Sequence, residues 1–103
     1  MSQVTWTAGA SSELQELFSP LEDFQTGLGA GLIFEIEKAL VLVASHPRIG
    51  SYFEKPVRKW LVNGRYGLIY CPEPRRIVVL AMVDMRSDLG PLRRRLREWY
   101  GRR

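Results

Sequence analysis

The sequence holds one cysteine, Cys71, and one histidine, His46. A lone cysteine closes no internal disulfide, and this pair falls short of the ligand set that a zinc site needs. No metal and no cofactor are therefore expected, and a reducing cytoplasm suits the chain. No apolar run approaches the roughly 18 residues of a membrane span; Ala39 to Ala44 is long enough only for a helix face or a strand. Met1-Ser-Gln-Val-Thr5 has neither a basic region nor an apolar stretch, so no signal peptide is expected. Glu54, Asp84 and Asp88 are isolated carboxylates with no visible partner for general acid–base work. Gly27, Gly29 and Gly31 lack the spacing of a phosphate loop and point instead to close helix packing. Basic residues are scarce in the first half. Residues 1–47 carry Lys38 against six acidic side chains, a net charge of −5, whereas residues 48–103 carry fourteen basic and five acidic ones, a net of +9. A solvated basic surface explains such a split, and so does an acidic partner, either nucleic acid or an acidic protein segment.

What is present is the composition of a globular protein, 46% hydrophobic and 25% charged. A chain of 103 residues is expected to form a single domain over 1–103 with room for one core. Gln3–Thr7 alternates and predicts a first strand. Ser11 or Ser12 is the expected cap of a helix carrying Leu14, Leu17, Phe18, Leu21 and Phe24, with a kink or restart at Ser19-Pro20. Gly29, Ile33, Ile36, Leu40 and Val43 mark a second apolar stripe that Pro47 ends. Residues 9–46 thus predict a helical hairpin or one long kinked helix. The period then changes. Pro56–Val62 and Arg65–Cys71 flank Asn63-Gly64, a strong hairpin signal because both turn positions need positive φ. Ile77–Val83 is apolar on both faces, as a central strand is. Asp88 caps a last helix with Pro91 in its first turn and Arg93, Arg94, Arg95 and Arg97 on its surface. The order predicts an α+β fold: an N-terminal strand, a helical hairpin packed on one face of a mostly antiparallel four-stranded sheet, and a C-terminal basic helix.

A two-residue turn between Val62 and Arg65 would set Trp60 opposite Gly67 and Arg58 opposite Ile69. Arg58, Trp60, Val62 and Arg65 then share one face, turned away from the helices. An indole among arginines suits a stacked nucleobase beside phosphate, or equally a packed cross-strand pair with solvated charges. Slipping the register by one residue would exchange the faces. Arg86 follows the central strand, where it is placed to contact an anion or to pair with Asp84 or Asp88. Arg58 and Arg86 are candidates for one concave target-binding surface, with Trp60 and Arg65 beside them. The Arg93–Arg97 run reads as a solvated helix face. His46 is expected at a helix end, and Tyr52, Tyr66 and Tyr70 in the core or an interface.

The N-terminal strand, two helices ending at His46-Pro-Arg-Ile-Gly50, then Val57-Arg58, the Tyr66–Tyr70 strand and Arg86 after an apolar strand together resemble the RelE/ParE toxin superfamily over nearly the whole chain. The resemblance implies the toxin of a type II toxin–antitoxin system, one that arrests bacterial growth and is held by a cognate antitoxin in a hetero-oligomer, without a membrane. RelE-like members are ribosome-dependent mRNA endoribonucleases; ParE-like members inhibit DNA gyrase and are not enzymes. Arg58 and Arg86 match basic positions of the nuclease pattern. The aromatic residue expected shortly after Arg86 is replaced by Leu89-Gly90-Pro91, and Trp99-Tyr100 come about ten residues later. The expectation therefore leans to gyrase inhibition, with the ribonuclease as the alternative and a non-toxic RNA- or DNA-binding module as the third.

Overall fold

The computed structural model describes residues 1–102. The chain runs β1 (Gln3–Trp6), α1 (Ala8–Phe24), α2 (Leu28–Ser45), β2 (Ser51–Glu54), β3 (Val57–Val62), β4 (Tyr66–Pro72), β5 (Arg76–Asp84) and α3 (Gly90–Gly101). The sheet order is β1-β5-β4-β3-β2. β1 lies parallel to β5 and the other pairs are antiparallel. This is the expected α+β arrangement with one strand more than expected, because Ser51–Glu54 adds a short edge beside β3. Its residues, Ser51-Tyr-Phe-Glu54, put two aromatics side by side and do not alternate, so no strand signal marks them.

Thr7 caps α1, its hydroxyl accepting from the Ala10 N–H at 3.1 Å, so the helix starts earlier than a Ser11 or Ser12 cap would allow. The helix runs through Pro20 without restarting. Leu14, Leu17 and Leu21 on either side of the proline pack against the core, and this packing outweighs the hydrogen bond that proline removes. Glu22 ties the hairpin together, its carboxylate accepting from the N–H groups of Gly27 and Ala30 at the start of α2. These bonds hold its pKa below the usual value, the one from Ala30 foremost. Gly29 is where the helices meet: a Cβ there would come within 2.6 Å of Glu22 and 2.7 Å of Phe18.

The apolar side chains form two clusters rather than the one expected. Leu32, Ile36, Ala39 and Val43 of α2 meet Val62, Tyr66, Leu68, Tyr70, Ile77, Val79 and Met82 on one face of the sheet. Ile33 and Leu40 of the expected stripe are only half-buried. On the opposite face, Leu92 and Leu96 of α3 cover Phe53, Val57, Ile69, Cys71, Val78, Leu80 and Ala81. The helices therefore lie on both faces, and β4 and β5 between them are buried almost throughout.

The β3–β4 register differs from expectation by one residue. Asn63 (φ 54°) and Gly64 (φ 65°) do form the turn, and the Arg65 N–H closes it onto the Val62 carbonyl at 3.2 Å. Arg65 then stands outside the ladder, because its carbonyl accepts from the Met85 N–H and its guanidinium binds Asp84. Val62 consequently pairs with Tyr66, Trp60 with Leu68 and Arg58 with Tyr70. The faces exchange: Arg58, Trp60 and Val62 lie on the side of the helical hairpin, and Leu61 on the other. Val62 is 3% exposed and Leu61 43%. Val62→Asp should therefore unfold the domain, since an unpaired buried carboxylate costs several kcal/mol, whereas Leu61→Asp should melt near the wild-type temperature. Thermal melts of both variants check this; the reverse ranking would restore the two-residue register.

Candidate functional site

The candidate residues lie at two ends of the sheet. Arg58 and the Asp84 end are separated by the four steps from Arg58 to Val62, about 13 Å of strand, with Val62, Tyr66 and Asp84 aligned across the sheet. Arg58 and Arg86 thus do not share one concave surface. Trp60 turns towards α2, where it lines a cleft of about 280 Å³ with Lys38, Ala39 and Leu42.

At the far end, Asp84 gathers Arg65 and Arg86. Arg65 contacts its carboxylate at 2.9 Å and Arg86 at 3.4 Å, and the Arg86 backbone N–H donates to it at 2.9 Å. That backbone bond, followed by the Arg65 guanidinium, lowers the Asp84 pKa to about 2. Arg86 is largely exposed, and it stands against a fixed counter-charge.

Arg58 has a different role. Its Nη1 donates to the carbonyls of Arg48 (3.1 Å) and Gly50 (2.7 Å), and its guanidinium lies 4.2 Å from the centre of the Tyr52 ring. Across the sheet from it, the buried Tyr70 hydroxyl donates to the Pro47 carbonyl at 2.8 Å and accepts from the Gly50 N–H at 3.0 Å. Burial raises the Tyr70 pKa, so the neutral hydroxyl that these bonds require is favoured. Gly50 is needed for the close approach: a Cβ would sit 2.6 Å from the Lys59 carbonyl oxygen and 2.7 Å from the Tyr70 hydroxyl. Tyr70 and Arg58 together clamp the loop between α2 and β2. His46 ends α2, with its backbone N–H on the Leu42 carbonyl.

The clamped loop forms one wall of a groove of about 820 Å³; Pro56, Tyr52 and Arg58 line its middle, and Pro72-Glu73-Pro74 of the β4–β5 turn lines the other wall. Sequence reasoning singled out Arg58 but missed Arg48, Gly50 and the hydroxyl role of Tyr70. A tyrosine in an otherwise apolar strand was the available signal, since a buried hydroxyl needs a partner. The basic helix is less of a free surface than expected. Arg93 and Arg97 pair with Glu54, and Arg95 pairs with Glu13. Arg94 makes no ion pair among the described residues.

No protein-family model matches the sequence, and no curated protein sequence does. The structure does find a counterpart. A chain of the solved chromosomal ParDE TA system from P. aeruginosa superposes with a TM-score of 0.69 at 15% identity, over 82% of this chain and 96% of that one. The two chains share a fold. This agrees with the α+β fold that the RelE/ParE resemblance implied. No helix among the described residues is long and apolar enough to cross a membrane.

Two measurements test the chemistry of these ends. Tyr70→Phe leaves the buried Gly50 N–H without its acceptor and should cost about 1–3 kcal/mol, read as a lower melting temperature with the fold retained. Asp84 has a depressed folded pKa, so its contribution is present above the ordinary value of 3.8 and is lost as pH falls through about 2. The wild type should therefore melt above Asp84→Asn at neutral pH, and the gap should close between those two values. A gap that is constant with pH would show that the charge on Asp84 is not what stabilises the triad.

Proposed function

We propose that this chain is the toxin of a type II toxin–antitoxin pair. The observation that carries the reading is the shared fold with a ParDE TA chain over nearly all of that chain's length, added to the order of sequence features. The toxin would act in the cytoplasm and be held by an antitoxin through an acidic segment.

Among possible targets, the geometry favours a protein, in the ParE manner DNA gyrase, over a nuclease reaction. A ribonuclease of this fold would need cations converging on one phosphodiester. Here Arg58 and Arg86 lie at opposite ends of the sheet, Arg58 on backbone carbonyls and Arg86 on Asp84. The position after Arg86 holds Leu89-Gly90-Pro91, whose Gly90 N–H donates to Asp88 at the start of α3, and it offers no aromatic acid or base.

Induced expression should arrest bacterial growth, and the purified protein should inhibit gyrase supercoiling without cutting ribosome-bound message. Unimpeded growth with abundant folded protein would overturn the toxin reading. Growth arrest with A-site cleavage and normal supercoiling would overturn the choice of target and return the ribonuclease.

A further inference from the structure

We propose that the groove between the clamped α2–β2 loop and the β4–β5 turn binds an extended acidic segment of a partner protein, with carboxylates meeting Arg48 and Arg58 and apolar side chains resting on its prolines.

The groove's volume of about 820 Å³ is enough to seat several side chains. Its walls are stiff: Pro47, Pro56, Pro72 and Pro74 line them, and Tyr70 and Arg58 pin the loop. A stiff site loses little conformational freedom on binding. The charges favour an anion. The Arg48 side chain is exposed and makes no ion pair among the described residues. Arg58 spends Nη1 on the loop carbonyls, which leaves its other N–H groups for a carboxylate in the geometry that guanidinium and carboxylate prefer. The carboxylate on the rim, Glu73, is bound to Arg76 at 2.7 Å, which weakens its repulsion of an acidic ligand.

Two observations select a peptide over nucleic acid. The Tyr52 ring already carries the Arg58 guanidinium at 4.2 Å and the Lys55 ammonium at 5.2 Å, so a base would have to displace a cation to stack there. Two guanidinium groups among prolines and the exposed Ile49 also make a mixed apolar and cationic surface. Phosphate-backbone binding, in contrast, commonly uses about six to ten cationic contacts. The outer edge of β2 adjoins the groove and ends the sheet, so an extended segment has a main-chain edge beside it.

This deepens the toxin reading and rests on it only for whose segment is bound. The probe is a fluorescein-labelled peptide alternating glutamate and leucine, titrated by anisotropy into the full chain at about 0.15 M salt, against an alternating lysine–leucine peptide and a single-stranded oligonucleotide of matched charge. Saturable binding of the acidic peptide is expected, weakened about tenfold or more by Arg48→Glu and by less than about twofold by Arg94→Glu on α3. Amide shifts should centre on residues 45–58 and 72–74. Failure of the acidic peptide to saturate, equal losses in the two variants, or preferential binding of the oligonucleotide would each overturn the proposal. Growth arrest without peptide binding would sink the groove and leave the toxin reading. Peptide binding without growth arrest would do the reverse.

Discussion

Tyr66 to Cys71 of β4 and Ile77 to Met82 of β5 are buried without a break, so the backbone polar groups of both strands must find their partners within the sheet. An unpaired buried amide or carbonyl is costly, and that cost holds β4 and β5 side by side, with β3 and β1 as their outer neighbours. The remaining elements follow from covering the two faces this leaves. The hairpin of α1 and α2 takes one and α3 takes the other. α3 meets the sheet through Leu92, Leu96 and the partly buried Trp99. Further anchorage is supplied by arginines: Arg93 donates to the Phe53 carbonyl and Arg95 to the Leu80 carbonyl while each binds a carboxylate.

Those anchors change the meaning of the charge asymmetry. Several arginines of the second half are paired inside the molecule. Glu13 on α1 reaches Arg95 on α3, and Glu54 takes both Arg93 and Arg97. The run of arginines in α3 is therefore chiefly a fastening, Arg94 excepted, and Arg48 at the groove is another cation outside it. Counting charges along a sequence cannot separate these uses, because the partners are as far apart as Glu13 and Arg95.

The elements other than β2 were legible. Apolar spacing marked the helical hairpin and the last helix, Asn63-Gly64 marked the β3–β4 turn, and Ile77–Val83 stood out as a central strand. The β3 faces were not legible, because they depend on one residue. Arg65 leaves the ladder through contacts to Met85 and Asp84, twenty and nineteen positions on, and no local pattern in the hairpin announces that. The exchange moved Trp60 from a presumed binding face onto α2. The candidate site was legible only in part for a similar reason. Arg58 could be singled out as a cation on a strand, but its carbonyl partners come from a loop that Tyr70 shapes from across the sheet.

The two ends of the sheet are consequently unequal as places for a partner to bind. At the Asp84 end, two guanidinium groups surround one carboxylate, so an incoming anion must compete with a ligand already in place. At the Tyr70 end, the polar groups that shape the loop are satisfied by one another, and the side chain of Arg48 projects beyond them. The edge strand beside that groove is short, and its register shifts between Tyr52 and Glu54. Such an edge discourages indiscriminate strand pairing. A segment that also brings carboxylates to the groove gains charge-assisted bonds that a neutral strand does not. The groove can therefore favour an acidic segment even though the edge alone is a poor template, and that discrimination rests on a loop that Gly50, Tyr70 and Arg58 hold in place.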